Sequence, residues 1–138
     1  AAAAASYVQI MNVEYKQCID APNGKLNEVL QLARCNSSDT QKWALVTASS
    51  PQTYYLVNKR TGYCAEVNNG TSRPGELVDQ WQCNGTPAEQ WTQGVGAGGG
   101  STYTNVGSNL CLDTVSGPGS QLMQWPCEGT TVQSWSVK

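Results

Sequence analysis

Residues 111–135 read CLDTVSGPGSQLMQWPCEGTTVQSW, and the spacing within this stretch recurs twice earlier in the chain. It opens on a first cysteine, has a second cysteine 16 residues later, and ends on a tryptophan eight residues beyond the second. An asparagine also stands six residues before the first cysteine. In chain order the landmarks are Asn12, Cys18, Cys35 and Trp43, then Asn58, Cys64, Cys83 and Trp91, and then Asn105, Cys111, Cys127 and Trp135. Because the first cysteines are 46 and 47 residues apart and all four landmarks keep their register, the chain contains three repeats.

Each repeat is predicted to form short β-strands separated by turns. In the second repeat we expect strands at Tyr54–Asn58, Cys64–Val67, Glu76–Gln82 and Gln90–Gln93. Turn residues such as Asn69-Gly70, Pro74-Gly75 and Gly117-Pro118-Gly119 separate such segments. One repeat cannot bury its apolar side chains alone, whereas three repeats around a pseudo-threefold axis share a core and leave no free sheet edge.

The sequence therefore predicts one all-β domain over residues 1–138, with repeats at about 6–47, 48–95 and 96–138 and about four strands in each. The glycine-rich stretch Gly94–Gly100 falls within the repeat register. We expect it to form a mobile hairpin or loop rather than a domain boundary.

The composition argues against several classes of partner. Of the 138 residues, 39% are hydrophobic and only 13% are charged, and the net charge is −2. Such a chain has no basic field to attract a phosphate backbone or anionic lipid, so we expect no nucleic-acid partner and no membrane-surface role. No segment approaches the roughly 18 consecutive apolar residues of a membrane span, so membrane insertion is not expected.

The six cysteines predict a framework of disulfide bonds. The chain has no histidine and no Cys-x-x-Cys pair, so neither a metal site nor a cofactor is expected. Repeat symmetry favours Cys18–Cys35, Cys64–Cys83 and Cys111–Cys127 among the fifteen pairings that six cysteines allow. Disulfides indicate an oxidising compartment, and Ala1–Ala5 is similar to the small-residue stretch around a signal-peptide cleavage site. We expect a secreted protein, although an expression remnant or a frayed terminus would also explain the alanines.

Two short motifs recur with the cysteines. Gln-x-Trp occurs as Gln41-Lys42-Trp43 and Gln133-Ser134-Trp135, while Glu89-Gln90-Trp91 keeps only the tryptophan. Cys-Leu-Asp occurs as Cys18-Ile19-Asp20, Cys64-Ala65-Glu66 and Cys111-Leu112-Asp113. With these motifs nearly the whole chain resembles the ricin-type β-trefoil lectins, also called the family 13 carbohydrate-binding modules. The resemblance implies a β-trefoil that binds glycans and catalyses nothing. It also implies that the tryptophans Trp43, Trp91 and Trp135 lie in the core, and the asparagines Asn12, Asn58 and Asn105 are expected to hold turns.

The resemblance implies a sugar site in each repeat. The acid after Cys-Leu accepts hydrogen bonds from sugar hydroxyls, and an aromatic ring two residues before the second cysteine stacks on the sugar. Polar residues four before that cysteine and three before the tryptophan complete the pocket. In the third repeat the acid is Asp113 and the ring is Trp125, with Glu128 as a further hydroxyl contact. We expect this site to be the best of the three, although Met123 and Val132 replace its usual polar residues.

The other two repeats depart further from the pattern. The second repeat offers Glu66, Asp79, Trp81 and Asn84, but its acid is the longer glutamate and Ala88 replaces a polar residue. The first repeat keeps Asp20, Gln31 and Thr40, but Ala33 stands where the ring belongs. We expect altered binding in the second repeat and weak or no binding in the first. The structural alternative is that Asp20 and Asp113 cap local turns and that Trp81 and Trp125 cover the core.

Two other functions compete with glycan binding. Without histidine no Ser-His or Cys-His arrangement exists. Acid pairs such as Glu76 with Asp79, or Asp113 with Glu128, fit surface acids or lectin ligands better than a glycosidase. The stronger alternative is an adaptor or targeting subunit that docks onto a protein partner in a toxin or enzyme assembly. The losses at Ala88 and Val132 favour it, and the retained acids and rings oppose it.

Overall fold

The computed structural model describes residues 6–138, so the interpretation of Ala1–Ala5 lies outside the described residues. Twelve short strands are joined by turns and single 3-10 turns. In the first repeat they are β1 (Ile10–Asn12), β2 (Cys18–Asp20), β3 (Gln31–Ala33) and β4 (Trp43–Thr47). In the second they are β5 (Thr53–Asn58), β6 (Cys64–Val67), β7 (Val78–Trp81) and β8 (Trp91–Val95). In the third they are β9 (Ser101–Asn105), β10 (Cys111–Thr114), β11 (Leu122–Trp125) and β12 (Trp135–Val137).

Six of the strands close into an antiparallel ring. Strands β12, β9, β8, β5 and β4 pair in that order, and β1 pairs with β12. A bridge between Val8 and Trp43 joins the start of the chain to β4 and completes the circle. The remaining strands form three hairpins, β2–β3, β6–β7 and β10–β11. This architecture, a barrel with one hairpin from each repeat, confirms the predicted β-trefoil.

The three motif tryptophans lie in the core, as predicted. Trp43, Trp91 and Trp135 are each fully buried. Each indole N–H donates to the carbonyl directly after the first cysteine of its own repeat, at 3.0–3.2 Å, so the ring buries its area without losing its one hydrogen bond. The motif therefore ties the last strand of a repeat to its second strand.

The three asparagines hold turns, as predicted, and they also join the repeats. In each case Oδ1 accepts the backbone N–H groups two and three residues later, for example those of Arg60 and Thr61 at Asn58. The side-chain amide donates to a carbonyl of the preceding repeat. The bonds are Asn58 to Thr40 at 2.9 Å, Asn105 to Ala88 at 3.0 Å and Asn12 to Val132 at 2.8 Å. Because the last bond returns from the first repeat to the third, this set of contacts also closes a circle.

The disulfide pairing inferred from repeat symmetry is confirmed. Cys18 bonds to Cys35, Cys64 to Cys83 and Cys111 to Cys127, each with a Cα–Cα distance of 5.1 Å. Each bond links the second strand of a repeat to the residues just after its third strand. The pocket positions on both strands are therefore held in one register.

The predicted strands of the second repeat are confirmed to within two residues at each end. The glycine-rich stretch forms the β8–β9 hairpin with a 3-10 turn at Ala97–Gly99. A Cβ on Gly96 would lie 2.5 Å from Ser134 Oγ, so glycine is needed here for close packing onto the third repeat. Within residues 6–138 no helix is both long and apolar enough to cross a membrane.

Candidate functional site

Two equivalent clefts lie between neighbouring repeats. We call the corresponding region between the third and first repeats the third cleft, and number each cleft by the repeat that supplies its acid. The acids are Asp20 on β2, Glu66 on β6 and Asp113 on β10. The opposite wall belongs to the next repeat, two residues after its asparagine. Arg60 stands there in the first cleft, Gly107 in the second and Glu14 in the third. Sequence reasoning treated each repeat alone and missed this wall, although its constant offset from the asparagines was visible.

The second cleft is open because its wall residues are small. It has a volume of about 470 Å³. Its lining comprises Glu66, Asn69, Gly70, Asn84, Thr86, Pro87, Ala88 and Gly107. Alanine and glycine stand here where the first cleft has Thr40 and Arg60. Among these lining residues only Glu66 is charged, and Asn84 and Thr86 add neutral polar groups at the rim.

Glu66 and Asp79 form a carboxyl pair at the base of this cleft. They are cross-strand partners on β6 and β7 and therefore lie side by side on one face of the sheet. Two neighbouring carboxyl groups resist being ionised together, so the pair favours a state in which one of them holds a proton. Burial, followed by the charge of Glu66, raises the pKa of Asp79 to about 8. Asp79 is only 1% exposed, so it supports Glu66 from below instead of lining the cleft. Trp81, half-buried, lies two residues further on the same strand face.

In the first and third repeats a glutamine orients the acid. Gln41 Nε2 donates to Asp20 Oδ2 at 3.1 Å, and Gln133 Nε2 donates to Asp113 Oδ2 at 3.0 Å. Each glutamine amide also donates to the carbonyl before the second cysteine, at 2.9 Å. The glutamine of Gln-x-Trp therefore hydrogen-bonds to the acid of the candidate site, whereas the tryptophan packs in the core.

The second repeat has Glu89 at the glutamine position. Glu89 is fully buried, and its Oε1 accepts the Asn84 N–H at 2.8 Å. Its Oε2 has no hydrogen-bond partner among residues 6–138. Burial raises the pKa of Glu89, and backbone N–H groups of Asn84 and Gly85 offset part of this effect. The second repeat therefore has a hydrogen-bond acceptor, the Glu89 carboxyl group, where the other repeats have a donor, the glutamine amide.

The third repeat brings its acid and its ring to one strand face. Asp113 lies opposite Met123, and Trp125 lies opposite Cys111 in the β10–β11 pair. Asp113 is only 7% exposed, and Oδ1 accepts the neighbouring Thr114 N–H at 2.6 Å. Trp125 is 37% exposed, in contrast to the three buried core tryptophans. The exposed Glu128 adjoins this region, because its backbone N–H donates to Gln133 Oε1 at 2.8 Å.

The first repeat partly fills the third cleft. The ring of Tyr15 lies 3.4 Å from the position of a Cβ on Gly117 and covers that glycine, which is buried. Thr131 Oγ1 donates to Glu14 Oε1 at 2.5 Å, across the cleft. Tyr15 is an aromatic residue beside the loop between β10 and β11 that sequence reasoning missed. The sequence marks Tyr15 by its position. It lies three residues after the asparagine of its repeat, and the other two repeats have threonine and serine at that position.

The first cleft is polar and lacks an aromatic ring. It has a volume of about 370 Å³ and is lined by Pro22, Asn23, Gly24, Ser37, Ser38, Asp39, Thr40 and Arg60. Asp20 is buried beneath this lining, and Gln31 is its cross-strand partner. Ala33 lies opposite Cys18 at the position of the rings in the other repeats.

The clefts therefore combine carboxyl acceptors, neutral polar groups and, in two repeats, a nearby indole ring. Such groups suit a ligand with many hydroxyls and an apolar face. Within residues 6–138 no group of three or more His, Cys, Asp or Glu residues is arranged to hold a metal ion.

Comparisons with known proteins agree with this architecture. The sequence model of the ricin-type beta-trefoil lectin domain matches residues 6–135. No curated protein sequence matches the chain. Among solved structures, the designed threefold-symmetric protein ThreeFoil superposes with a TM-score of 0.88 at 21% identity, covering 95% of this chain and 96% of that one.

Two natural proteins share the fold over part of their length. The exo-β-1,3-galactanase 1,3Gal43A from Clostridium thermocellum has a TM-score of 0.88 at 20% identity, covering 96% of this chain. The hemolytic lectin CEL-III has a TM-score of 0.78 at 21% identity, covering 94% of this chain. The match spans only 30% of the galactanase chain and 29% of the hemolytic lectin chain.

Proposed function

This chain belongs to the ricin-type β-trefoil lectin family, and from that membership we propose that it binds glycans through unequal clefts and performs no catalysis. The exposed ring of Trp125 carries the proposal, because it lies on the same strand face as Asp113 while the three motif tryptophans are buried. A stacked pyranose would cover the indole, and Asp113 would accept one of its hydroxyl groups.

The third and second clefts are the proposed binding sites. In the third, Gln133 already orients Asp113, and Trp125 supplies an exposed ring on the same strand face. In the second, Glu66 lines an open cleft with Asn84 at its rim, and Trp81 lies nearby on β7. Glu128 remains a proposed hydroxyl contact, and Asp79 acts through Glu66. The first cleft keeps Asp20 and Gln31 but has no ring, so we propose weak or no binding there.

Binding is proposed to depend on several sites acting together. A shallow site with millimolar affinity contributes about −4 kcal/mol, and linked sites gain by effective concentration on a polymer or a cell surface. We therefore expect weak binding to free monosaccharide and much stronger binding to displayed glycans. The three disulfides suit an oxidising, extracellular location.

A glycan array followed by calorimetry on the best glycan tests the proposal. Trp125→Ala should lower the affinity at least tenfold, because the stacking surface is removed, and Trp81→Ala should have a smaller effect. Ala33→Ser is the matched control at the same position of the first repeat, and it should bind as the parent chain does. If the parent chain binds no glycan, the lectin function is wrong. If Trp125→Ala binds normally, the third site is wrong.

A protein-docking adaptor is the second candidate function. It is supported by the matches that span less than a third of the galactanase and of the hemolytic lectin, in which a trefoil is part of a larger chain. Residues Ala88 and Val132, which replace polar pocket residues, also favour it. An empty glycan array would favour the adaptor role, whereas the release of reducing ends from polysaccharides would contradict both the lectin and the adaptor role.

A further inference from the structure

The second cleft has more hydrogen-bond acceptors than donors. Glu66 lines the cleft, and the Oδ1 atom of Asp79 and the Oε2 atom of Glu89 find no N–H or hydroxyl donor among residues 6–138. Both residues are at least 99% buried. A buried acceptor without a donor costs about 1–3 kcal/mol, and a positive charge bound at the neighbouring Glu66 would lower this cost.

The other two carboxyl groups act on Glu66. Asp79 lies opposite it in the β6–β7 pair, and burial, followed by the charge of Glu89, raises the pKa of Glu66. At the same place in the other repeats, glutamine donates an N–H to a single aspartate. The second repeat has therefore lost an internal donor and gained an acid in one substitution.

Glu66 is also the member of this group that a ligand can reach. It lines the cleft of about 470 Å³, whereas Asp79 and Glu89 lie beneath it. The first cleft, by contrast, has Arg60 in its lining. With Gly107 at the corresponding place, none of the lining residues of the second cleft is a cation that could neutralise Glu66.

The neutral polar residues at the rim indicate which groups the ligand carries in addition to its positive charge. Asn69, Asn84 and Thr86 are neutral groups that suit hydroxyls, and the volume is within the range of small-molecule sites. An ammonium group adjacent to hydroxyl groups therefore fits the cleft better than a bare metal ion, for which no ligand set is arranged among residues 6–138.

We propose that the second cleft selects sugars with a free amino group, whose ammonium pairs with Glu66. This inference rests on the proposed lectin function and specifies the ligand of one of its sites. Binding leaves the amine charged, and the proton of the carboxyl pair passes to solvent. The charged groups acting on the pair are Glu89, on Glu66, and Glu76, on Asp79.

Paired sugars that differ only at nitrogen test the proposal. We would titrate galactosamine against N-acetylgalactosamine, and glucosamine against N-acetylglucosamine, at pH 6.5 in two buffers of different ionisation enthalpy. At least one amino sugar should bind about tenfold more tightly than its acetylated partner, a difference of about 1.4 kcal/mol. Its heat should differ between the buffers, because up to one proton is released per site.

Two variants assign the preference to this cleft. Glu89→Gln installs the residue of the other two repeats and should remove most of the amine preference while the binding of acetylated sugars persists. Glu66→Gln should remove the preference completely, and thermal unfolding checks that both variants fold. Binding of displayed neutral glycans without amine preference or proton release would overturn this inference and leave the lectin function standing. Failure of the parent chain to bind any glycan, acetylated or amino, would overturn both.

Discussion

Replacing Glu89 by glutamine should stabilise the protein, which is unusual for a change at a fully buried position. In the parent chain Glu89 uses Oε1 to accept the Asn84 N–H and leaves Oε2 without a partner among the described residues. A glutamine would keep the first bond. Its Nε2 would also donate two hydrogen bonds, one to Glu66 and one to the carbonyl before Cys83. The equivalent bonds of Gln133 measure 3.0 Å to Asp113 and 2.9 Å to the Pro126 carbonyl.

The magnitude follows from these bonds. Removing an unsatisfied buried acceptor recovers about 1–3 kcal/mol, and a typical hydrogen bond adds about 1 kcal/mol net. Allowing for imperfect fit beside the longer Glu66 side chain, we expect about 2 kcal/mol at pH 7. For a chain of this size that corresponds to roughly 6–10 °C in Tm.

The effect should depend on pH in a defined direction. The pKa of Glu89 is raised above its ordinary value of 4.5 in the folded protein, so folding opposes its ionisation. Below pH 4.5 the carboxyl group is protonated in both states and acts as a donor, so the parent chain carries little penalty. The penalty grows as the pH rises from 4.5 towards the folded pKa. The advantage of Glu89→Gln should therefore be small at pH 4 and larger at pH 7.

Urea unfolding with the disulfides intact, followed by circular dichroism at pH 4 and pH 7, measures both effects. The reciprocal change Gln133→Glu in the third repeat is the matched control, and it should destabilise by about 1–3 kcal/mol because it creates the same orphaned acceptor beside Asp113. The reasoning is refuted if Glu89→Gln is no more stable than the parent at pH 7. An equal gain at pH 4 would refute its electrostatic part.

Two further predictions concern stability. The free energy of unfolding should fall as the pH rises from about 4 to about 8, because the pKa of Asp79 is raised from 3.8 to about 8 by burial and by Glu66. Asp79→Asn should flatten this dependence in denaturant titrations, and a flat profile in the parent chain would contradict the assignment. Replacing Cys64 and Cys83 together by alanine opens a loop of 19 residues and should cost about 3 kcal/mol. The pair Cys111 and Cys127, separated by 16 residues, should cost nearly as much when replaced, and a loss below about 1 kcal/mol in both would contradict the role of these bonds.

The fold could be predicted from the sequence because its determinants are local and occur three times. Trp43 and its two equivalents bond to a carbonyl of their own repeat, and each disulfide closes within one repeat. Such contacts leave a fixed spacing in the sequence. The strand ends were predicted less accurately. The third strand of the second repeat was predicted to begin at Glu76, but Glu76 lies in the turn that precedes β7, which begins at Val78.

The candidate site could be predicted only in part. The offsets from the cysteines put Asp113 and Trp125 on one face because a β-hairpin alternates its side chains. The walls contributed by Glu14, Tyr15 and Gly107 come from another repeat. Their offset from the asparagines is visible in the sequence, but it does not indicate which acid they face. The substitution at Glu89 was visible as a weakened motif, but the missing donor became evident only from the bonds of its glutamine equivalents.

The asparagine bonds have a consequence for chain topology. Asn12 reaches back to Val132 as Asn58 reaches to Thr40, and β1 pairs with β12, so the junction of the third repeat with the first resembles the other two junctions. The three junctions between repeats are therefore equivalent, and the fold does not depend on which junction lacks a connecting peptide. Circular permutants opened in the turn between β4 and β5, with Ile10 and Val137 brought onto one linker, should retain every cleft. Their order of folding, which depends on which repeats are contiguous, would then become the property that distinguishes them.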